Sequence, residues 1–261
     1  MRIKKDYNNP PEKLEAVNLN QPFSQKKCQN FFNNHQIYIR DELLKLYHKC
    51  AYCETGFAGS LHRDHYRPKD KYNWLVCEWS NLLLSCQRCN QQKGSAFPLV
   101  DENKRQTEYV DKKSMKADST RLLAEKPLIL NPEYKTFVPQ QHMICLSDGT
   151  MKGISKYGEK TIEVFKLNER DLLIQKRKEI VDKYKIDFKN CFGDYHDHKN
   201  ENSLKKQLER IVLHLLDNSE NQSTEYRYVY WISVKKFKLF FEDSIPHEWM
   251  KYIHEKILVN S

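Results

Sequence analysis

Apolar and polar residues alternate with different periods along this 261-residue chain, and the changes of period divide it into segments. Residues 1–35 are rich in Asn and Gln, include a Pro-Pro pair and show weak periodicity, which favours an irregular arm. Between Ile37 and Tyr47 the apolar residues recur at mostly helical spacing. This spacing predicts a helix of about three turns that leads the chain to Cys50.

Extended structure is predicted after this helix. Residues 61–68 favour a strand that ends at a proline, and residues 72–79 are aromatic and β-branched, as strand residues often are. We expect these two segments to pair as a hairpin or a compact loop. A short helix is expected to begin at Asn90 and to end or break at Gly94.

The second half of the chain changes from a turn pattern to a helical one. The prolines that bracket residues 127–132 indicate a boundary between regions. An Asp-Gly pair at residues 148–149, between two apolar runs, predicts a tight hairpin. Beyond it we expect helices capped by Asn168 and Ser203, because Asn and Ser are favoured caps. The aromatic stripe over residues 226–241 is expected to lie in a helical core.

These elements predict an α+β protein with a small ββα core and a mainly helical C-terminal region. The expected domains are a basic arm over residues 1–36, a domain over 37–126 that contains the ββα core, and a hairpin with helices over 127–261. A composition of 39% hydrophobic and 30% charged residues is that of an ordinary globular protein. We expect a cytoplasmic protein, because no apolar run approaches membrane-spanning length and no apolar leader begins the sequence.

The formal net charge of +9 favours a polyanionic partner such as nucleic acid. The excess is spread along the chain, and the first 40 residues are its most basic part. Short runs of lysine and arginine alternate with acidic residues on predicted helices, which is more typical of solvated faces. The charge therefore supports nucleic-acid binding only as a sum over the whole chain, and no single basic run supports it alone.

Two CxxC pairs stand out among eight cysteines: Cys50 with Cys53, and Cys86 with Cys89. Cytosolic thiols are normally reduced, so this paired spacing favours a structural Zn²⁺ over disulfides. A redox CxxC is the alternative, but that motif normally opens one helix, and here two copies flank a histidine-bearing segment. The remaining cysteines are expected to be small buried apolar residues: Cys28, Cys77, Cys145 and Cys191.

Residue types suited to phosphodiester hydrolysis lie between or beside the two pairs. Asp64 and Asn90 offer hard oxygen ligands for Mg²⁺ or Mn²⁺, whereas cysteine sulfurs prefer Zn²⁺. The adjacent His65 can accept a proton from water near neutral pH. The residue types alone leave open which of the adjacent pair binds metal and which removes the proton. Asn81 is a further polar candidate, with a turn or cap residue as its alternative.

Three other features have a less specific pattern. Arg67 and Lys93 could bind phosphate by their charge, and solvated surface is an equal alternative. Residues 194–198 contain two histidines and two aspartates, but they lie in a polar stretch without a partner cluster. We expect a flexible loop there. No GxxxxGK phosphate loop occurs, so any ATP hydrolysis would belong to another chain.

The segments that carry these residues resemble the HNH, or His-Me finger, endonucleases. The matching segments are residues 50–53, 64–69, 79–83 and 86–94. Other segments are similar to the HNH nuclease subunit of Septu-type and retron-associated anti-phage systems. These segments are residues 10–14, 97–99, 130–132 and 166–170.

This resemblance implies a zinc-stapled ββα-metal fold and a role for each candidate residue. Asp64 and Asn90 would bind the catalytic Mg²⁺ or Mn²⁺, and His65 would activate water. Asn81 would orient the histidine through its side-chain amide. Because an amide oxygen binds metal less tightly than imidazole, Asn90 at the motif's third position implies weak metal affinity.

The resemblance also implies partners. A nuclease of this type would cut DNA or RNA in a complex with an SMC-like ATPase subunit, and a retron system would add a reverse transcriptase with its RNA-linked DNA. The alternative function is a non-catalytic zinc module that binds nucleic acid or protein. A thiol redox protein is a more remote third hypothesis.

Overall fold

The computed structural model describes residues 3–19, 25–56, 61–108, 110–111, 116, 118–134, 141–221 and 224–258. The chain folds into two compact units. The first unit comprises Met1–Met143 with Gly153–Lys166, and the second comprises Ile144–Lys152 with Leu167–Ser261. The predicted boundary at residue 127 therefore lies inside the first unit. No helix among the described residues is both long enough and apolar enough to cross a membrane.

The described part of the N-terminal segment is helical rather than an irregular arm. Helix α1 spans Glu12–Leu19 and helix α2 spans Gln25–Leu44, with a kink at His35 where φ is −127°. Apolar residues of this segment pack into the first unit: Ile3, Leu14, Cys28, Phe31 and Phe32. The polar residues between them hide this pattern in the sequence. Residues 1, 2 and 20–24 of the predicted arm lie outside the described part.

The centre of the first unit is a ββα element. Strand β1, Leu61–His65, pairs antiparallel with strand β2, Leu82–Cys86, so that Asp64 faces Leu83. The predicted pairing with residues 72–79 is wrong, because that segment forms 3-10 turns at Asn73–Leu75 and Trp79–Asn81. Every residue of β2 is buried, so the strand lacks the polar alternation that would have marked it.

Helix α3, Gln87–Lys93, follows β2 directly. The sulfur of Cys86 caps it by accepting a hydrogen bond from the Cys89 backbone N–H at 3.4 Å. The helix thus begins three residues before Asn90, where the sequence predicted its start. It ends as predicted at Gly94, whose φ of +47° favours glycine. Two further helices complete the unit: α4, Thr120–Leu123, and α5, Lys156–Phe165.

The predicted hairpin at the Asp-Gly pair is present. Strand β3, Met143–Cys145, pairs with strand β4, Met151–Gly153. Gly149 has a φ of +86°, and a Cβ there would lie 2.1 Å from the Ile174 carbonyl oxygen. Only glycine fits this position, because both the backbone conformation and the close approach exclude a side chain.

The second unit is mainly helical, as predicted. Among its described residues the α-helices are α6, Asp171–His198; α7, Glu201–Glu220; α8, Arg227–Lys235; α9, Phe237–Phe241; and α10, His247–Ile253, which a π-helical segment, His254–Leu258, follows. Residues 194–198 form the last turn of α6 instead of a loop.

The helix caps of the second unit differ from the predicted ones. Asn200, rather than Ser203, caps α7 by accepting a hydrogen bond from the Ser203 N–H at 3.0 Å. Asn168 does not cap α6, because its amide bonds both the N–H and the C=O of Met151, each at 2.7 Å.

The aromatic stripe lies in the core of the second unit. Phe237, Phe240 and Phe241 are buried, and the Phe241 ring lies 5.2 Å from that of Phe188. The stripe is divided between α8 and α9 at Lys236, whose φ of −118° interrupts the helix. The prediction of a helical core is confirmed, with two short helices in place of one.

Candidate active site

The four cysteines of the CxxC pairs converge at one end of the ββα element. Their sulfur atoms all lie within 4.8 Å of one another, and all four residues are buried. The sulfurs of Cys53 and Cys86 are 3.7 Å apart. A tetrahedral Zn²⁺ with Zn–S bonds of about 2.3 Å separates its ligands by about 3.8 Å. The cluster therefore fits the structural zinc that the sequence predicted.

The first CxxC pair is held in register with the sheet by backbone hydrogen bonds. The N–H of Ala51 donates to the Leu84 carbonyl of β2 at 2.8 Å, and the N–H of Cys50 donates to the Thr55 carbonyl at 2.9 Å. The second pair spans the junction of β2 and α3. A zinc ion here would join the turn that carries Cys50 and Cys53, after α2, to the β2–α3 junction.

Asp64, His65 and Asn90 line one pocket of about 310 Å³ beside α3. Asp64 and His65 stand at the end of β1, and Asn90 is half-buried in the middle of α3. Because α3 is capped by Cys86, Asn90 does not serve as the cap of this helix. Three of the four residues that the sequence proposed for the catalytic site thus line one pocket, and the fourth, Asn81, does not.

One backbone acceptor determines the tautomer of His65. Its Nε2 lies 3.0 Å from the carbonyl oxygen of Val76. A carbonyl can only accept, so Nε2 must carry a proton. In the neutral imidazole, Nδ1 then has the free lone pair. The ring of Phe32 meets the imidazole edge-on at 5.3 Å and limits its rotation.

Burial lowers the pKa of His65 to about 3, and the cations Arg63, Lys93 and Lys69 lower it in the same direction. The hydrogen bond to Val76 opposes this shift. The imidazole is consequently neutral at neutral pH. Its Nδ1 is available to accept a proton.

Both carboxylate oxygens of Asp64 already have partners. Oδ1 lies 3.1 Å from the Lys93 ammonium, and Oδ2 accepts a hydrogen bond from the Tyr52 hydroxyl at 2.5 Å. Burial raises the pKa of Asp64, and the charge of Lys93 opposes the rise. Each oxygen of a carboxylate has a second lone pair, so Asp64 retains the capacity to bind a hard cation together with Asn90.

Asn81 acts on the backbone rather than on the imidazole. Its Oδ1 accepts from the Arg67 N–H at 2.8 Å, and its Nδ2 donates to the carbonyls of Arg67 at 3.1 Å and Leu75 at 3.2 Å. The expected contact between the Asn81 amide and His65 is absent from these hydrogen bonds. Asn81 instead fixes the segment whose next residue, Val76, bonds the imidazole. Orientation of His65 by the Asn81 amide, acting through this backbone segment, stays a prediction.

Arg67 is part of the core and does not reach a phosphate. Its side chain is completely buried and bonds Glu125 at 3.0 Å, the Tyr134 hydroxyl at 3.0 Å and the Leu122 carbonyl at 2.8 Å. All three nitrogens of the guanidinium are thereby occupied. The prediction that Arg67 binds nucleic acid is therefore wrong for this structure.

Lys93 is likewise buried, with 2% of its surface exposed. Its ammonium bonds Asp64 at 3.1 Å and the His65 carbonyl oxygen at 2.6 Å. These contacts orient the two adjacent catalytic candidates, so Lys93 holds the site together instead of presenting a free charge to phosphate.

Two cationic residues of the pocket were not among the site residues predicted from the sequence. Arg63 and Lys69 both line it with His65. Arg63 precedes His65 by two residues on β1, and side chains at that spacing project from the same face of a strand. This periodicity is the signal that would have found Arg63.

Among the described residues, the cysteine cluster is the group of three or more His, Cys, Asp or Glu side chains that could hold an ion. Residues 194–198 form no such group. Their side chains are largely exposed, and His196 and Asp197 face each other at 3.6 Å.

Comparison with known protein families identifies this region. Residues 50–96, which contain the zinc cluster and the pocket, match the family model described as HNH endonuclease. The chain carries an HNH endonuclease domain. The ββα element with its cysteine cluster is the structural core of this domain.

Two curated relatives extend the similarity beyond the HNH domain. The chain is 32% identical to the Septu protein PtuB of Bacillus mycoides (strain KBAB4) over 159 residues, which is 54% of this chain and 50% of that protein. It is 32% identical to the Septu protein PtuB of Bacillus thuringiensis over 179 residues, 65% of this chain and 56% of that protein. The chain thus spans about half the length of the relatives it matches.

Proposed function

We propose that this protein is a metal-dependent endonuclease that hydrolyses phosphodiester bonds in DNA or RNA. One observation carries the proposal: a single pocket holds a neutral imidazole with a free Nδ1, a carboxylate and an amide oxygen. These are the groups required to activate water and to hold a hard cation beside a phosphate.

The chain's own residues divide the work of hydrolysis. His65 takes a proton from water at Nδ1, while the Val76 carbonyl stabilises the resulting imidazolium through Nε2. Lys93 and Tyr52 hold the Asp64 carboxylate in place. A Mg²⁺ or Mn²⁺ ion held by Asp64 and Asn90 would neutralise charge on the phosphate and assist the leaving oxygen.

The biological setting is inferred from the relatives. Both are named Septu protein PtuB, which supports a role as the nuclease effector of an anti-phage defence complex. We propose an SMC-like ATPase subunit as the partner. A retron reverse transcriptase with its RNA-linked DNA is the less supported partner, since neither relative is named for a retron.

The test compares His65→Ala with His62→Ala. His62 is exposed on the same strand, so its substitution controls for changes to β1. We expect wild type and His62→Ala to cleave DNA or RNA oligonucleotides with Mg²⁺ or Mn²⁺, with and without the ATPase. His65→Ala should be slower by about 10²- to 10⁴-fold.

Two results would argue against the proposal. Equal cleavage by both variants would remove His65 from the reaction. Zinc-loaded, folded wild type that cleaves none of the substrates, even with the ATPase, would favour a non-catalytic zinc module.

A further inference from the structure

The pocket contains one half-buried cation whose charge has no carboxylate partner among the described residues. Lys93 is paired with Asp64 and Arg67 with Glu125. Arg63 forms no such ion pair in the described part of the chain, and its buried Nε has no hydrogen-bond partner there. A buried N–H group without an acceptor is costly, so an acceptor supplied by a ligand would be favourable here.

The position of Arg63 is fixed by an aromatic ring that also touches the catalytic histidine. The guanidinium carbon lies 4.7 Å from the centroid of Phe32, and the Phe32 ring meets the imidazole of His65 at 5.3 Å. Phe32 is itself buried. The aromatic ring therefore sets the guanidinium and the imidazole at a defined separation.

Arg63 lines two cavities that both include His65. One is the 310 Å³ pocket with Asp64 and Asn90, and the other has a volume of about 230 Å³ on the side of Phe32. Exposed Lys69 lines both cavities as well. An oxygen-rich ligand placed against Nδ1 of His65 would thus meet a guanidinium and an ammonium.

We propose that Arg63 binds the phosphate that is cleaved, and that Lys69 binds the same strand at the rim of the pocket. This inference rests on the nuclease function proposed above. A guanidinium offers parallel N–H donors that match two phosphate oxygens, and its charge stabilises the phosphate as negative charge develops during hydrolysis. Arg63 takes the role that the buried Arg67 and Lys93 cannot fill.

The kinetic test uses Arg63→Gln and Arg63→Lys, with Arg88→Gln as the matched control. Arg88 is an exposed arginine of α3 outside both cavities. With Mn²⁺ we expect Arg63→Gln to lower kcat by about 10²- to 10³-fold, as loss of one transition-state donor does. Arg63→Lys keeps the positive charge but lacks the paired N–H donors of the guanidinium. Its kcat should lie between those of Arg63→Gln and wild type. Arg88→Gln should match wild type.

A second measurement separates this inference from the nuclease function. Binding of mixed-sequence oligonucleotides, as single strands and duplexes of DNA and RNA, is measured without added Mg²⁺ or Mn²⁺ over a range of salt concentrations, so that the structural zinc stays bound. Loss of one phosphate contact should weaken binding and reduce the slope of log K against log[salt] by about 0.7 to 0.9. Melting temperature and zinc content verify that each variant is folded.

The outcomes distinguish the two ideas. If wild type cleaves but Arg63→Gln equals Arg88→Gln in kcat and salt slope, the role of Arg63 is wrong and the nuclease stands. If wild type cleaves nothing but Arg63→Gln loses affinity and slope, phosphate binding stands and the nuclease does not. If Arg63→Gln is unfolded, Arg63→Lys decides: wild-type kcat with an unchanged salt slope overturns the proposal, and a reduced kcat supports it.

Discussion

The side chain of His65 shows how the surroundings of one residue determine its tautomer and its protonation state. A single carbonyl, that of Val76, selects the tautomer, and burial keeps the ring neutral by lowering its pKa to about 3. Asp64 is buried beside it, but its charge is directed toward Lys93. The imidazole is therefore neutral with its Nδ1 lone pair free, and burial raises the pKa of Asp64 while the charge of Lys93 opposes that rise.

Arg67 illustrates the opposite case, a charged residue whose role is structural. Replacing it with Met should destabilise the protein by about 3–5 kcal/mol, because Glu125 would remain buried without its counter-ion. Urea unfolding of Arg67→Met measures the loss. Arg88→Met, at an exposed site, should change stability by less than about 0.5 kcal/mol. Normal stability of Arg67→Met combined with weaker nucleic-acid binding would restore the phosphate role.

The ββα element is too small to be stable alone. Its strands have five residues each and α3 has seven, so their helical and sheet hydrogen bonds cannot offset the cost of ordering the intervening loop. The element is held instead by the four-cysteine cluster and by the helices packed around it. Zinc bound by the cluster would then contribute to the folding free energy of the candidate site.

Removal of zinc should consequently abolish the pocket. We expect about one zinc per chain, and a strong chelator should lower the melting temperature and reduce the circular dichroism signal. Cys86→Ala should do the same without chelator. Cys191→Ala, at a buried cysteine outside the cluster, should retain the metal. If the chelated, zinc-free protein keeps the melting temperature and the cleavage activity of the untreated protein, the cysteines do not hold the site.

In the first unit, segments far apart in the chain meet through buried polar contacts. Ile3 donates its N–H to the Pro132 carbonyl at 2.7 Å, and the ammonium of Lys5 lies 2.9 Å from Glu133. Lys5 also donates to the Leu82 carbonyl at the start of β2 at 2.5 Å. The N-terminal segment thus supports the sheet that carries the active site.

This buried pair should make global stability depend on pH. Burial raises the pKa of Glu133 to about 7, with the charge of Lys5 opposing the rise. The unfolded chain releases this proton near pH 4.5, so the contribution of Glu133 is fully present below that pH and is lost as pH rises through 7. The loss should be on the order of 3 kcal/mol.

The measurement is the unfolding free energy of wild type and Glu133→Gln between pH 5 and 8. Glutamine does not titrate, so the free energy of the variant should vary less with pH than that of wild type. The slopes of unfolding free energy against pH are compared, because loss of the ion pair also changes the absolute stability. Parallel curves would show that Glu133 titrates normally in the folded protein.

Local patterns in the sequence were sufficient for those features that depend on near neighbours. The Asp-Gly pair predicted the hairpin at Gly149 because the turn involves adjacent residues. Each CxxC pair is also local, and the presence of two such pairs predicted the zinc cluster that joins them. The helical periods of the second unit were also readable. Asp64, His65 and Asn90 were proposed together because their residue types suit metal-dependent hydrolysis, and they line one pocket.

Other features depend on residues that meet only after folding. Arg67 is buried because Glu125, 58 positions away, supplies its counter-ion, and nothing near Arg67 in sequence indicates this. The pairing of β1 with β2 was hidden because a fully buried strand shows no alternation. Three other features also arise only in the folded structure: the hydrogen bonds of Asn81, the ion pair of Lys93 and the unpaired charge of Arg63. Periodicity and spacing record local geometry, whereas burial and charge pairing arise from long-range packing.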